Sequence, residues 1–204
     1  MWQVKKRSLD LAVKVDKRTA LIVVDVQNDF CGGGALPVPD GDAVVPVLNS
    51  YIAIFVAVGA PVFMTRDWHP ADHSSFAAQG GPWPPHCVQN TGGAAFHPKL
   101  AMPEGARVVS AGYLPEAEGY SGFEGTDLAE QLRALSVRRL LVGGLATDYC
   151  VKSTVIEALS KGFEVHVLVD AVRGVEVQPG DSRRAMEEMR SHGARELELR
   201  DLLP

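Results

Sequence analysis

Cysteine is scarce in this chain: three residues in 204, Cys31, Cys87 and Cys150, an odd number with no C-x-x-C pair. That speaks against a disulfide framework and fits a reducing compartment, so a cytoplasmic location is expected. No block of basic residues stands out. Twenty Lys and Arg against 25 Asp and Glu leave a formal net charge of −5, and nucleic acid is not expected as a partner. Long apolar runs are missing too. The longest, residues 51–63, is broken by Gly59 and Pro61 and is too short to cross a bilayer, so no membrane partner is expected. Residues 1–17 carry charges throughout and lack the continuous apolar core of a secretory signal; they read as a polar lead-in. There are no internal repeats, low-complexity tracts or linkers.

What is present is an ordinary soluble composition, 46% hydrophobic and 22% charged, at a length that suits one domain over residues 1–204. Short β-branched runs at 19–26, 61–67, 107–111, 139–145 and 163–169 read as strands, and 196–199 can add an edge strand. Between them, helical patterns cover 42–58, 126–137, the stretch from Cys150 to Gly162, and 181–192. Asp42 is placed to cap the first of these. Strands alternating with helices imply a three-layer α/β/α fold on a mainly parallel sheet of five to six strands. The helix at 42–58 carries two apolar stripes, one through Val44, Val45, Leu48, Ile52 and Val56 and one through Val47, Tyr51, Ile54 and Val58. A helix apolar nearly all round is covered on both sides, by a second subunit in a homo-oligomer or by the N-terminal lead-in.

The reactive candidates fall at strand C-termini, the edge where open α/β sheets bind ligands. Asp25 ends the first strand. Asp67 and His69 are two apart at the end of the second, so they face one way. The stiff, proline-held Trp83-Pro84-Pro85-His86 run can present His86 to the same point. One carboxylate and two imidazoles with open positions suit Zn²⁺, Fe²⁺ or Mn²⁺. Cys150 follows the strand at 139–145 and opens a helix that Thr147 or Asp148 can cap. Unpartnered N–H groups in a first helical turn favour a thiolate. The long loop at 112–125, with Tyr120, is functional in type.

Five motifs, VDVQNDF at 24–30, DWHPADH at 67–73, WPPHC at 83–87, YSGFEG at 120–125 and GLATDYCV at 144–151, together resemble the nicotinamidase branch of the isochorismatase-like cysteine hydrolases. The resemblance implies a Cys150 nucleophile, Asp25 as its general base, and Asp67, His69 and His86 on one divalent metal ion, zinc first among the candidates. His73 matches a further ligand found in some members, with plain hydrogen bonding as the alternative. The resemblance also implies an oxyanion hole from the backbone N–H groups of Ala146 and Cys150, a cis peptide at Leu145–Ala146, and nicotinamide as substrate. Phe30, Trp83 and Tyr120 would wall the flat ring. Cys150 would attack the carboxamide carbon, ammonia would leave, and water would release nicotinate from the thioester.

One residue breaks the pattern. The family's lysine stands at the head of a K-G-x-x-P run, and here that run is Ala111-Gly112-Tyr113-Leu114-Pro115. A neighbouring ammonium lowers a thiol's pKa and complements oxyanion charge. Its absence predicts impaired turnover in an otherwise intact site, unless Arg107, Lys99 or Arg66 supplies the charge. The other readings are a hydrolase of carbamoyl or formyl-maleamate type amides and a non-catalytic ligand-binding relative.

Overall fold

The structure is a computed structural model that describes residues 13–203; the first twelve residues of the lead-in lie outside it. Strand β1 (Val13–Lys14) pairs with β8 (Leu202–Leu203) in a small two-stranded sheet of its own. The main sheet comprises β2 (Thr19–Val24), β3 (Val62–Asp67), β4 (Arg107–Ala111), β5 (Arg139–Leu145), β6 (Glu164–Arg173) and β7 (Arg195–Leu197). They lie in the order β4-β3-β2-β5-β6-β7, every pair parallel.

Burial explains the arrangement. All six residues of β2 are buried, as a strand covered on both faces requires. Leu21 and Val23 pack to one side, against helix α1 (Val44–Val58) through Leu48, Tyr51, Ile52 and Phe55. Ala20, Ile22 and Val24 pack to the other. That second layer holds α2 (Leu128–Ala134), α3 (Lys152–Ser160) and α4 (Asp181–Ser191), which contribute Leu132, Val155 and Met189. The result is the expected three-layer α/β/α fold, with six strands in its main sheet.

Several boundaries differ from the sequence reading, each for a local reason. Helix α1 starts at Val44, after a 3-10 turn over Gly41–Ala43. Asp42 does not cap it, because its carboxylate accepts the Gly32 N–H at 2.7 Å instead. Phe55, fully buried, takes the place assigned to Val56, while Val56 and Val58 are 53% and 42% exposed. Buried positions recur at Val44, Leu48, Tyr51 and Phe55, a helical face bearing the bulkier side chains. By length and composition alone, Gly41–Val58 is apolar enough to cross a membrane. Its buried face packs on the sheet, as a core helix does. Strand β6 runs on to Arg173, with a register shift against β5 between Val142 and Gly144.

The strand order carries the functional consequence. From β2 the chain steps outward through β3 to β4, then returns to the other side of β2 with β5. The carboxyl ends of β2 and β5 therefore flank the switch point where doubly wound sheets hold ligands. Asp25 follows β2 and Cys150 follows β5. Leu48 sits where α1 meets this centre, fully buried and beside Gly143. Leu48→Ala is expected to lower the unfolding free energy by about 2–5 kcal/mol, read from urea unfolding at constant m-value; a loss well under about 1 kcal/mol would contradict this packing.

Candidate active site

Asp25 adopts φ 49°, a left-handed conformation that Asp tolerates better than most residues. Its carboxylate accepts the Thr65 hydroxyl at 2.6 Å, and its N–H donates to the Thr65 carbonyl at 3.3 Å. Thr65 and Asp67 alternate to the same face of β3. The buried Gln27 amide then fixes the Asp67 backbone: Nε2 donates to the Asp67 carbonyl at 2.8 Å and Oε1 accepts the Asp67 N–H at 2.9 Å. Sequence reasoning gave Gln27 no role. Its only signal was its place between Asp25 and Phe30.

Asp67, His69 and His86 converge as expected, with one ligand atom from each within 4.8 Å of the others. Nε2 of His69 and of His86 lie 3.4 and 3.8 Å from Asp67 Oδ2. Backbone carbonyls set the tautomers, since a carbonyl can only accept. Nδ1–H of His69 donates to the Gly112 carbonyl at 2.9 Å, and Nδ1–H of His86 to the Pro84 carbonyl at 2.8 Å. Both Nε2 lone pairs are thereby turned toward Asp67, as in metal-ligating histidines. Gly112, at φ 60°, has no room for a Cβ beside the His69 ring. Asp67 Oδ1 is buried without a hydrogen-bond partner, which a cation would satisfy. The donor set fits a divalent ion.

His73 is placed differently. Its Nε2–H donates to the Ala117 carbonyl at 2.7 Å, Nδ1 meets Ser75 Oγ at 2.7 Å, and the ring stacks on His69 at 4.0 Å. It buttresses a ligand, in keeping with the hydrogen-bonding alternative. Phe76, which the sequence reading passed over, packs against His69, His73 and His86 at 5.5–5.7 Å.

The aromatic residues form two groups. Trp83 Nε1–H donates to the Tyr120 hydroxyl at 2.9 Å. Tyr149 lies against both rings, at 5.1 and 5.7 Å; this third member also escaped the sequence reading, though it adjoins Cys150. Phe30 stands apart, 5.6 Å from His86.

Cys150 does not lie in the first turn of an α-helix. Thr147–Val151 is a single π-helical turn ahead of α3, in which the Ala146 carbonyl accepts both the Tyr149 and the Val151 N–H at 3.1 Å. Neither Thr147 nor Asp148 caps it through a side chain. Asp148 instead accepts the Val175 and Glu176 N–H groups at 2.9 and 2.8 Å, tying the loop after β6 to this turn. The Leu145–Ala146 peptide is cis, as expected, and Gly144 has φ 127° where a Cβ would strike the Val24 backbone. Ligand-type atoms of Asp25, Asp67 and Cys150 also lie within 4.8 Å of one another.

Ala111 pairs in register with Asp67. It is 2% exposed and shares the face of Val109, which packs in the same cluster as Cys150. The alternative cations do not reach this place. The Arg66 guanidinium lies 3.6 Å over the Trp68 ring and donates to Ser110 Oγ. Arg107 donates to Gln131, and Lys99 is exposed.

The electrostatics follow. Burial, then the Asp67 carboxylate, push Asp25 up to about 8, against hydrogen bonds from Thr65 and Cys150. Burial, then Asp67 and Asp25, raise the Cys150 thiol well above its ordinary range. Burial opposes charge on His69, but Asp67 outweighs it and raises the ring's pKa. Burial lowers His86.

The chain belongs to the isochorismatase-domain family, whose model matches residues 19–201. It is 45% identical over 196 residues to the nicotinamidase of Escherichia coli, covering 86% of this chain and 92% of that one. To the nicotinamidase/pyrazinamidase of Mycobacterium tuberculosis it is 42% identical, covering 84% and 94%. Among solved structures, the pyrazinamidase of Pyrococcus horikoshii in complex with zinc superposes with a TM-score of 0.86 at 52% identity, covering 89% of this chain and 99% of that one. PnC1 of L. infantum in complex with nicotinate gives 0.87 at 33%, covering 94% and 98%.

A raised Asp25 implies a pH-dependent penalty. Between the ordinary carboxylate value of 3.8 and about 8, the metal-free native chain holds a proton that the unfolded chain has released, so stability falls as pH rises through that window. Asp25→Asn removes this term. In chelator-treated protein, its stability relative to the unaltered chain is expected to climb from pH 4 to pH 8 and then level. A pH-independent difference in urea midpoints would show that Asp25 is not held protonated.

Proposed function

We propose that this chain is a nicotinamide amidohydrolase whose turnover is weakened by Ala111. The observation that carries the reading is the meeting of Asp25, Asp67 and Cys150 within 4.8 Å beside the Asp67-His69-His86 set.

In this reading Asp25 takes the Cys150 thiol proton and the sulfur attacks the carboxamide carbon. The backbone N–H groups of Ala146 and Cys150 take up the oxyanion charge, a contribution of about 3–4 kcal/mol per donor in comparable sites. As the C–N bond breaks, Asp25 returns the proton to the departing ammonia. Water then adds to the thioester, and C–S cleavage restores the thiol and releases the acid. Phe30, 5.6 Å from His86, and the Trp83–Tyr120–Tyr149 group would wall a flat ring. Asp67, His69 and His86 would hold a divalent ion, Zn²⁺ by donor set and Fe²⁺ or Mn²⁺ by compatibility. Such an ion supplies positive charge beside Asp67 and an anchor for the ring nitrogen.

Proton transfer needs an ionised Asp25, and attack needs a thiolate. The buried, anion-crowded site opposes both. A lysine at 111 would place an ammonium on the same face as Asp67 and relieve both groups; alanine cannot. Ala111→Lys is therefore expected to raise ammonia release from nicotinamide by on the order of 100-fold and to speed Cys150 alkylation by iodoacetamide at neutral pH. Equal rates for the two proteins would contradict the impairment. Ala111 also favours one second reading, a ligand-binding relative without turnover. Nicotinamide binding with no ammonia release, in both this chain and Ala111→Lys, would select it.

A further inference from the structure

A second set of donor side chains converges away from the site described above. Cys31, Asp42 and His97 each offer one ligand atom, and those atoms lie within 4.8 Å of one another. They come from three segments: the loop after β2, the 3-10 turn before α1, and the connection between β3 and β4. All three line an open cleft of about 410 Å³, walled by the glycine runs 32–34 and 92–93. Glycine walls leave space around the donors for water or an exogenous ligand.

The backbone fixes each donor in place. Cys31 N–H donates to the Asn28 carbonyl at 3.1 Å, and the Cys31 carbonyl accepts Gly34 N–H at 3.0 Å. His97 N–H donates to the Val26 carbonyl at 2.9 Å. Asp42 divides its two oxygens: Oδ2 accepts the Gly32 N–H at 2.7 Å, and Oδ1 faces His97 Nε2 at 3.3 Å. One oxygen is oriented by the chain, as for a ligating carboxylate, and the other is turned into the cluster.

We propose that Cys31, Asp42 and His97 form a second binding site for a zinc-type divalent transition metal, separate from Asp67, His69 and His86. Thiolate, imidazole and carboxylate make a three-ligand set that leaves one tetrahedral position for water. The sulfur selects against Mg²⁺ and Ca²⁺. On binding, the thiol releases its proton to solvent. The His97 ring proton moves from Nε2 to Nδ1, and the 3.2 Å contact from Lys99 N–H to Nδ1 is given up. Cys31 directly follows Phe30, so an ion here would clasp the loop bearing that ring to the start of α1.

The test is metal stoichiometry on the full chain, stripped with chelator and dialysed against Zn²⁺, then repeated with Co²⁺ for its thiolate charge-transfer band. The site predicts two equivalents in the unaltered chain and one in Cys31→Ser and in His97→Gln. It also predicts a cobalt–thiolate band that survives Cys150→Ser and disappears in Cys31→Ser. A single equivalent in the unaltered chain that Cys31→Ser retains would overturn the proposal, as would two equivalents retained in both variants. Should Cys31→Ser misfold and lose all metal, Asp42→Ala, at an exposed carboxylate, decides: one equivalent supports the site and two overturn it.

Discussion

Two buried carboxylates and a buried thiol share one small space, and the site's behaviour depends on whether positive charge joins them. Asp25, Asp67 and Cys150 are each less than a tenth exposed. Water cannot disperse their charge, so burial and the Asp67 carboxylate raise the pKa of Asp25 and of Cys150. Left alone, Asp25 stays an acid and Cys150 a thiol. The fold provides two addresses for relief, both beside Asp67. One is the pair of Nε2 atoms from His69 and His86, a place for a divalent ion. The other is position 111 on the adjoining strand, in register with Asp67. The first is intact, and the second holds alanine.

Backbone geometry holds this crowding in place. The ends of β2 and β5 meet at the switch point, bringing Asp25 and Cys150 together from positions 125 residues apart. Gln27 grips both the N–H and the carbonyl of Asp67. Carbonyls of Gly112 and Pro84 set the two histidine tautomers. Asp148 ties the nucleophile's turn to the loop after β6. A site so fully fixed by main-chain bonds can keep its shape when one side chain, such as that at 111, is exchanged. Its chemistry then changes while its geometry does not.

Much of this was legible in the chain. Period-two spacing puts Asp67 and His69 on one side of a strand, and proline-held Trp83-Pro84-Pro85 marks His86 as a fixed side chain. Apolar runs between helical patterns located β2, β3, β4 and β5 to within two residues, while β6 runs four residues past its expected end. What escaped were features set by long-range contacts. Asp42 and Asp148 look like helix caps locally, yet each serves a loop distant in sequence, Gly32 in one case and Val175 with Glu176 in the other. The π turn around Cys150 arises from a carbonyl accepting twice, which no propensity encodes. The apolar residues of α1 gave two stripes of equal claim, and only the sheet decides that Phe55, not Val56, faces inward. Gln27, Phe76 and Tyr149 act by touching residues that the chain brings near only after folding.

The central claim is that Cys150 is a well-placed nucleophile held as a thiol by its burial and by the neighbouring carboxylates, with no compensating cation. The most direct measurement is the ultraviolet thiolate absorbance of metal-free protein against pH, taken as the difference between this chain and Cys150→Ser. The account predicts that Cys150 ionises above the ordinary thiol value of 9.0. A thiolate already formed at neutral pH, with alanine at 111, would contradict it.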